Sequence, residues 1–152
     1  MPERSVPDDR KGSQFRFHPD AQLGLLQGEG ELTLEGWERA ARQILEWPAH
    51  SGTRRILSDR RRMLGDYPVW LQDVIMGFIR DSALALGQVQ WAVVLPDNSS
   101  ATEVVRRTAE SVVGSQVRIR AFTDLSEALR WLLGFYEGEQ IAELLRWIDQ
   151  AS

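Results

Sequence analysis

Hydrophobic and polar positions follow two different periods along this chain, and the changes of period mark its elements. Gln14 to His18 sets Phe15 and Phe17 at alternate positions and stops at Pro19-Asp20, the pattern of an edge strand. Leu23 to Gln27 predicts a second strand, close enough to the first to pair with it as an antiparallel hairpin. Gly28-Glu29-Gly30 bends or ends that strand, and no further glycine or Gly-Lys-Ser/Thr follows to make a phosphate loop. From Thr33, a suitable N-cap, the period lengthens: Leu34, Trp37, Ala41, Ile44 and Leu45 form one helical stripe that stops at Pro48.

Arg54 to Asp59 is a short strand with an apolar centre and charged ends. Beyond an arginine run, Pro68 and Gly87 bracket a long second helix carrying Trp70, Leu71, Val74, Ile75, Phe78 and Leu84. Val89 to Leu95 is almost wholly apolar, as a central strand covered on both faces should be. Ser100 and Glu103 have capping-box spacing, and a third helix runs from there through Val112 to Gly114. Val117, Ile119 and Ala121 alternate with Arg118 and Arg120, a half-buried strand near an edge. Asp124 and Glu127 repeat the capping-box spacing before a helix through Leu133 that ends at Gly134. Ile141, Leu144, Leu145 and Ile148 then mark a final amphipathic helix, with Trp147 beside its stripe.

The order β-β-α-β-α-β-α-β-α plus a C-terminal helix predicts an α/β domain with right-handed crossovers. Its sheet is mainly parallel, made mixed by the opening hairpin. A chain of 152 residues suits one such domain. Residues 1–13 are polar, carry Pro2 and Pro7 and have no apolar leader, so they read as a disordered tail. Residues 14–133 form the domain and 134–152 a helical extension.

Composition narrows the function. With 43% hydrophobic and 26% charged residues the chain has the make-up of a soluble domain, and no apolar run reaches the roughly 18 residues of a membrane span. Stable membrane insertion is therefore not expected, and the cytoplasm is the expected location. A net charge of -4 argues against nucleic acid as a partner. The absence of cysteine removes disulfides, thiolate metal sites and cysteine nucleophiles together. His18 and His50, the only histidines, stand in no ligand spacing, so neither a metal site nor a Ser-His-Asp triad is expected. Ser58 lacks the glycines of a nucleophile elbow.

In open α/β sheets, loops at the carboxyl ends of strands receive ligands and partners. That rule selects Asp59, Arg60, Arg61, Arg62, Asp66 and Tyr67 as the candidate binding residues. Guanidinium groups match phosphate and carboxylate, although a solvated loop in which the three arginines pair with neighbouring acids is the simpler expectation. Arg54 and Arg55 lie at the other end of the strand and are not expected to join that patch. Asp59 as a phosphoacceptor would need an acidic pair and a lysine at a later strand end, and the only lysine is Lys11. The simpler expectation is that Asp59 holds an arginine or caps the loop. Trp147, with Phe135 and Tyr136 nearby, points to a terminal helix that packs on its own domain or on a second copy in a homodimer.

Several stretches together resemble the SpoIIAA-like proteins of the STAS superfamily. They are Leu25 to Thr33 with its Gly30-Glu31-Leu32-Thr33 ending, Trp37, Ile56-Leu57-Ser58-Asp59-Arg60, Ala92-Val93-Val94, Phe122-Thr123-Asp124 and Glu127 to Leu132. The resemblance covers residues 14–133. It implies a small mixed sheet with helices packed against it and a non-enzymatic role in binding proteins, nucleotides, lipids or other small ligands. One branch of that superfamily carries a phosphorylatable serine at the start of the helix after the middle strand. Here Gly65-Asp66-Tyr67-Pro68 stands there, and no serine or threonine lies between Asp59 and Asp81. Asp66 would instead put a fixed negative charge near the positive end of that helix.

The expected function is thus a non-enzymatic regulatory module, without cofactor, that docks a protein partner or a small anionic ligand at the loop after Arg54–Asp59. The rival is a carrier of a lipid or other apolar molecule with SEC14-like architecture. It requires an apolar pocket between the second helix and the sheet. An enzyme using the arginines, with Asp59 or Asp66 as base, is a weaker third reading.

Overall fold

A computed structural model of the chain describes residues 14–28, 30–47, 53–63, 68, 70–96 and 100–150. The tail at 1–13, His50, Asp66 and Tyr67 lie outside those residues. Five strands form one sheet in the order β1 (Gln14–His18), β2 (Leu23–Gln27), β3 (Thr53–Asp59), β4 (Gln88–Val94) and β5 (Val117–Phe122). The hairpin β1–β2 is antiparallel, with Phe15 opposite Leu26 and Phe17 opposite Gly24, and every later pair is parallel. The helices are α1 (Leu34–Glu46), α2 (Leu71–Asp81), α3 (Ala83–Leu86), α4 (Ala101–Ser111), α5 (Leu125–Leu132) and α6 (Gly138–Asp149). The molecule is therefore a single α/β domain with a mixed sheet.

Each parallel crossover moves one strand along the sheet in the same direction. Right-handed connections then put α1, α2 and α4 on one face. There Leu26, Ile56, Trp91 and Val93 pack against Trp37, Ile44, Ile79 and Val105. Side chains one position along each strand point the other way. Leu23, Leu25, Leu57, Ala92 and Val94 meet Leu125, Leu129 and Leu132 of α5 and Ile141, Leu144 and Ile148 of α6. The C-terminal helix thus lies on its own domain and completes the second layer.

Two features of the chain shape differ from the sequence expectation. The long second helix is broken at Ser82, whose φ and ψ of -109° and 14° leave the helical region. The short α3 then turns its last carbonyls toward Arg54, and Leu84 becomes fully exposed instead of continuing the apolar stripe. The Ser100–Glu103 capping box does not form. Ser100 is helical and makes no side-chain cap, while Glu103 accepts from Arg106 and Arg107 on the exposed face. Thr33 and Asp124 do cap their helices, accepting from Gly36 and Ser126 N–H at 3.0 and 2.9 Å. An unmarked cap opens α6, where Glu137 N–H donates to Gln140 Oε1 at 2.8 Å.

Gly24 allows the sheet to close against α1's end. A Cβ there would lie 2.8 Å from the Trp47 ring and 2.9 Å from Phe15. Gly30, at φ +77°, makes the expected bend and bridges to Met63, its N–H donating to the Arg62 carbonyl at 3.4 Å.

Candidate functional site

Strand β3 is central and ends in Asp59, which is 3% exposed. Its carboxylate turns toward the α5/α6 face and is met by three sets of donors. Oδ1 accepts from the Arg61 backbone N–H at 3.2 Å and from Arg61 Nε at 2.8 Å. Oδ2 accepts from Arg61 Nη2 at 2.9 Å and from Gln27 Nε2 at 3.1 Å. Burial opposes ionisation of Asp59, but the hydrogen bonds and charge of Arg61 outweigh it, so the carboxyl titrates below the ordinary aspartate range. Arg61 is reinforced in turn by Asp149 at the end of α6, 3.6 Å away.

The same cluster fastens α6. Arg16 Nη2 donates to Gln27 Oε1 at 3.3 Å and to the Trp147 and Ile148 carbonyls at 3.2 Å, and its guanidinium lies 4.4 Å over the Trp147 ring. A cation at these carbonyls complements the negative end of the helix. Asp59 and Arg61 thus pair with each other and tie the end of β3 to the end of α6. Asp59 both holds an arginine and caps the loop, as the simpler sequence reading expected.

Arg60, one residue on, belongs to the opposite face. Its N–H continues the sheet by donating to the Val94 carbonyl at 2.9 Å, and the residue is 4% exposed. It lines a cavity of about 40 Å³ bounded by Trp37 of α1, Leu71 and Ile75 of α2, Val104, Val105 and Thr108 of α4, and Ser58, Trp91, Val93 and Ile119 of the sheet. The rings of Trp37 and Trp91 stack at 6.0 Å with 22° between planes. Trp91 Nε1 donates to Ser58 Oγ at 2.7 Å. Thr108 Oγ1 donates to the Val104 carbonyl at 2.8 Å. The cavity is therefore aromatic and aliphatic, with Ser58, Thr108 and Arg60 its polar members, and it lies between the second helix and the sheet.

The candidate residues consequently separate. Asp59 and Arg61 pair on one face, Arg60 serves the other, and Arg62 is exposed. Asp66 and Tyr67 lie outside the described residues. At the other end of β3, Arg54 is buried and donates from Nη1 to the Ala85 and Leu86 carbonyls at 2.5 Å and from Nη2 to the Trp47 carbonyl at 2.8 Å. It closes the ends of α1 and α3 together. Arg55 faces the α6 side, 5.4 Å over the Phe135 ring. Trp37, Trp91, Ser58 and Thr108 are the site residues that the sequence did not single out. The alternation of β3 was the available signal, since Ser58 and Arg60 share one side and Asp59 takes the other.

No helix among the described residues is long and apolar enough to cross a membrane. Among those residues no group of three His, Asp or Glu is placed to hold a metal. No protein-family model, no curated protein and no solved structure gives a significant match to the chain.

Proposed function

We propose that this protein is a non-enzymatic, STAS-like regulatory module that binds a small carboxylate or phosphate, with at most a short apolar tail, at the carboxyl ends of β3 and β4. The carrying observation is Arg60: an arginine, 4% exposed, among the lining residues of a cavity otherwise built from Trp37, Trp91, aliphatic groups and the hydroxyls of Ser58 and Thr108. Binding pockets commonly combine apolar walls with a few placed polar groups. A guanidinium in such walls selects carboxylate or phosphate, because desolvation strengthens the charge-assisted bond. The loop is less suited to a protein partner, since Arg61 is committed to Asp59 and Asp149. The carrier reading needs a pocket between the second helix and the sheet large enough for an apolar molecule, and about 40 Å³ holds a few water-sized groups, not an acyl chain.

Native mass spectrometry of freshly purified protein, followed by tryptophan-fluorescence titration with acetate and inorganic phosphate, tests the reading. The expected result is a saturable change in emission that is lost in Arg60→Gln while thermal unfolding stays cooperative. Equal affinity in a folded Arg60→Gln variant rejects the site. A copurified lipid would favour the carrier reading.

A further inference from the structure

The edge of the sheet opposite β1 is formed by β5, and its chemistry differs from the rest of an acidic chain. In a parallel ladder every second residue turns its N–H and C=O to the neighbouring strand. Val89 N–H donates to the Gln116 carbonyl and Leu95 N–H to the Phe122 carbonyl, which assigns the even-numbered residues of β5 to β4. The odd-numbered residues face outward. Val117 is occupied locally, its N–H donating to Ser115 Oγ at 3.1 Å. Ile119 and Ala121 are left presenting two N–H and two C=O groups along the edge.

A groove runs beside that edge, between α4 and β5. It is lined by Ala109, Val113, Val117 and Ile119, with Arg118 on the strand side and the ion-paired Arg106 and Glu110 on the helix side, and has a volume of about 490 Å³. Val113 is 82% exposed and Leu84, on α3, fully exposed. Gln116 Nε2 donates to the Ala83 carbonyl at 3.1 Å, which brings α3 to the start of β5 and sets Leu84 at the same end of the molecule as Val113. Arg118 and Arg120 stand on the strand, both exposed. Neither has an ion-pair partner among the described residues, and Arg120 lies 5.1 Å over the Phe122 ring.

We propose that β5, with the groove between it and α4, is a strand-addition site for an acidic, extended segment of another protein. Main-chain bonds to Ile119 and Ala121 would supply the pairing, the Val113–Ile119 groove would take an apolar side chain, and Arg118 and Arg120 would select acidic residues on the alternate face. Charge decides between occupants. A second copy paired edge to edge would oppose Arg118 and Arg120 to the same two arginines, and like charges across a strand pair are unfavourable. An acidic segment turns both contacts into ion pairs. This site shares Ile119 with the wall of the Arg60 cavity but uses none of that cavity's polar groups, and it does not depend on ligand binding there.

The test uses the full chain and a fluorescein-labelled decapeptide alternating glutamate with valine, measured by anisotropy at low and moderate salt, with amide exchange followed by NMR. Expected are saturable binding that weakens with salt, and slowed exchange at Ile119 and Ala121 when the peptide is bound. Arg118→Glu/Arg120→Glu should weaken binding at least about tenfold, as expected for loss of complementary charge at an interface. Ala121→Pro should abolish it, because proline removes an outward donor without touching the β4 ladder. Absence of binding, binding that survives both variants, or amide changes centred on α2 would overturn the proposal. So would a peptide-free dimer paired through β5.

Discussion

At the scale of single residues, arginine does work that its position in the sequence conceals. Arg61 makes two guanidinium bonds and a backbone bond to Asp59, so Asp59→Asn removes the charge that those bonds are made to. Loss of roughly 1.5–3 kcal/mol is expected for a hydrogen bond to a charged group, and urea unfolding measures it. The pH dependence has a definite sign. Because the folded carboxyl titrates below the free value of about 3.9, its stabilisation is complete above that value and is lost as pH falls through the depressed one. Wild type should therefore lose more stability below pH ~4 than Asp59→Asn does, a comparison that acid titration of unfolding midpoints makes directly. Gly24→Ala is expected to cost about 1–3 kcal/mol, since the added methyl must displace Trp47 and Phe15. The pairing of Asp59 with an arginine was legible from the sequence, because an acid beside three arginines has short-range partners. The division of that cluster between two faces was obscured because it was read as one loop. In the structure the alternation of β3 continues through Arg60, whose N–H still bonds to β4.

At the scale of elements, the strands were the most legible part. Alternation marked the two outer strands β1 and β5, apolar runs marked the central strands that are covered on both faces, and all five occur within about a residue of those positions. Helix limits were less legible because they depend on distant partners. The break at Ser82 belongs with Arg54, which comes earlier in the chain and collects the carbonyls of Trp47, Ala85 and Leu86. No local propensity encodes that contact. Ser100 shows the converse: a cap pattern present in sequence is unused where Arg106 and Arg107 claim the glutamate. The docking of α6 is carried by Ile141, Leu144 and Ile148 and tied at its end by Arg16. Ile148→Ala is accordingly expected to lower stability by about 2–5 kcal/mol in chemical unfolding, the range for truncating a fully buried aliphatic side chain. A much smaller effect would mean that α6 is not held on the sheet as described.

At the scale of the whole molecule, the two faces of one sheet are built to different standards. The face under α5 and α6 is closed, with Leu23, Leu25, Leu57, Leu129, Leu133, Leu144 and Ile148 all fully buried. The face under α1, α2 and α4 keeps a cavity beside two tryptophans. Close packing is the default in protein interiors, so a retained void carries a stability cost unless something occupies it. Val104→Ile adds one methyl group at the cavity wall and separates the two situations. If the void serves binding, the variant should gain up to about 1 kcal/mol in thermal or urea unfolding, as cavity filling commonly does. It should also lose the fluorescence response to acetate, because the added group takes the ligand's space. Stabilisation with an unchanged response would place binding elsewhere. Destabilisation would show that the wall cannot receive even a methyl group, leaving the space to water held by Ser58, Thr108 and Arg60. The variant therefore tests whether the looser face of the sheet is kept open for a ligand.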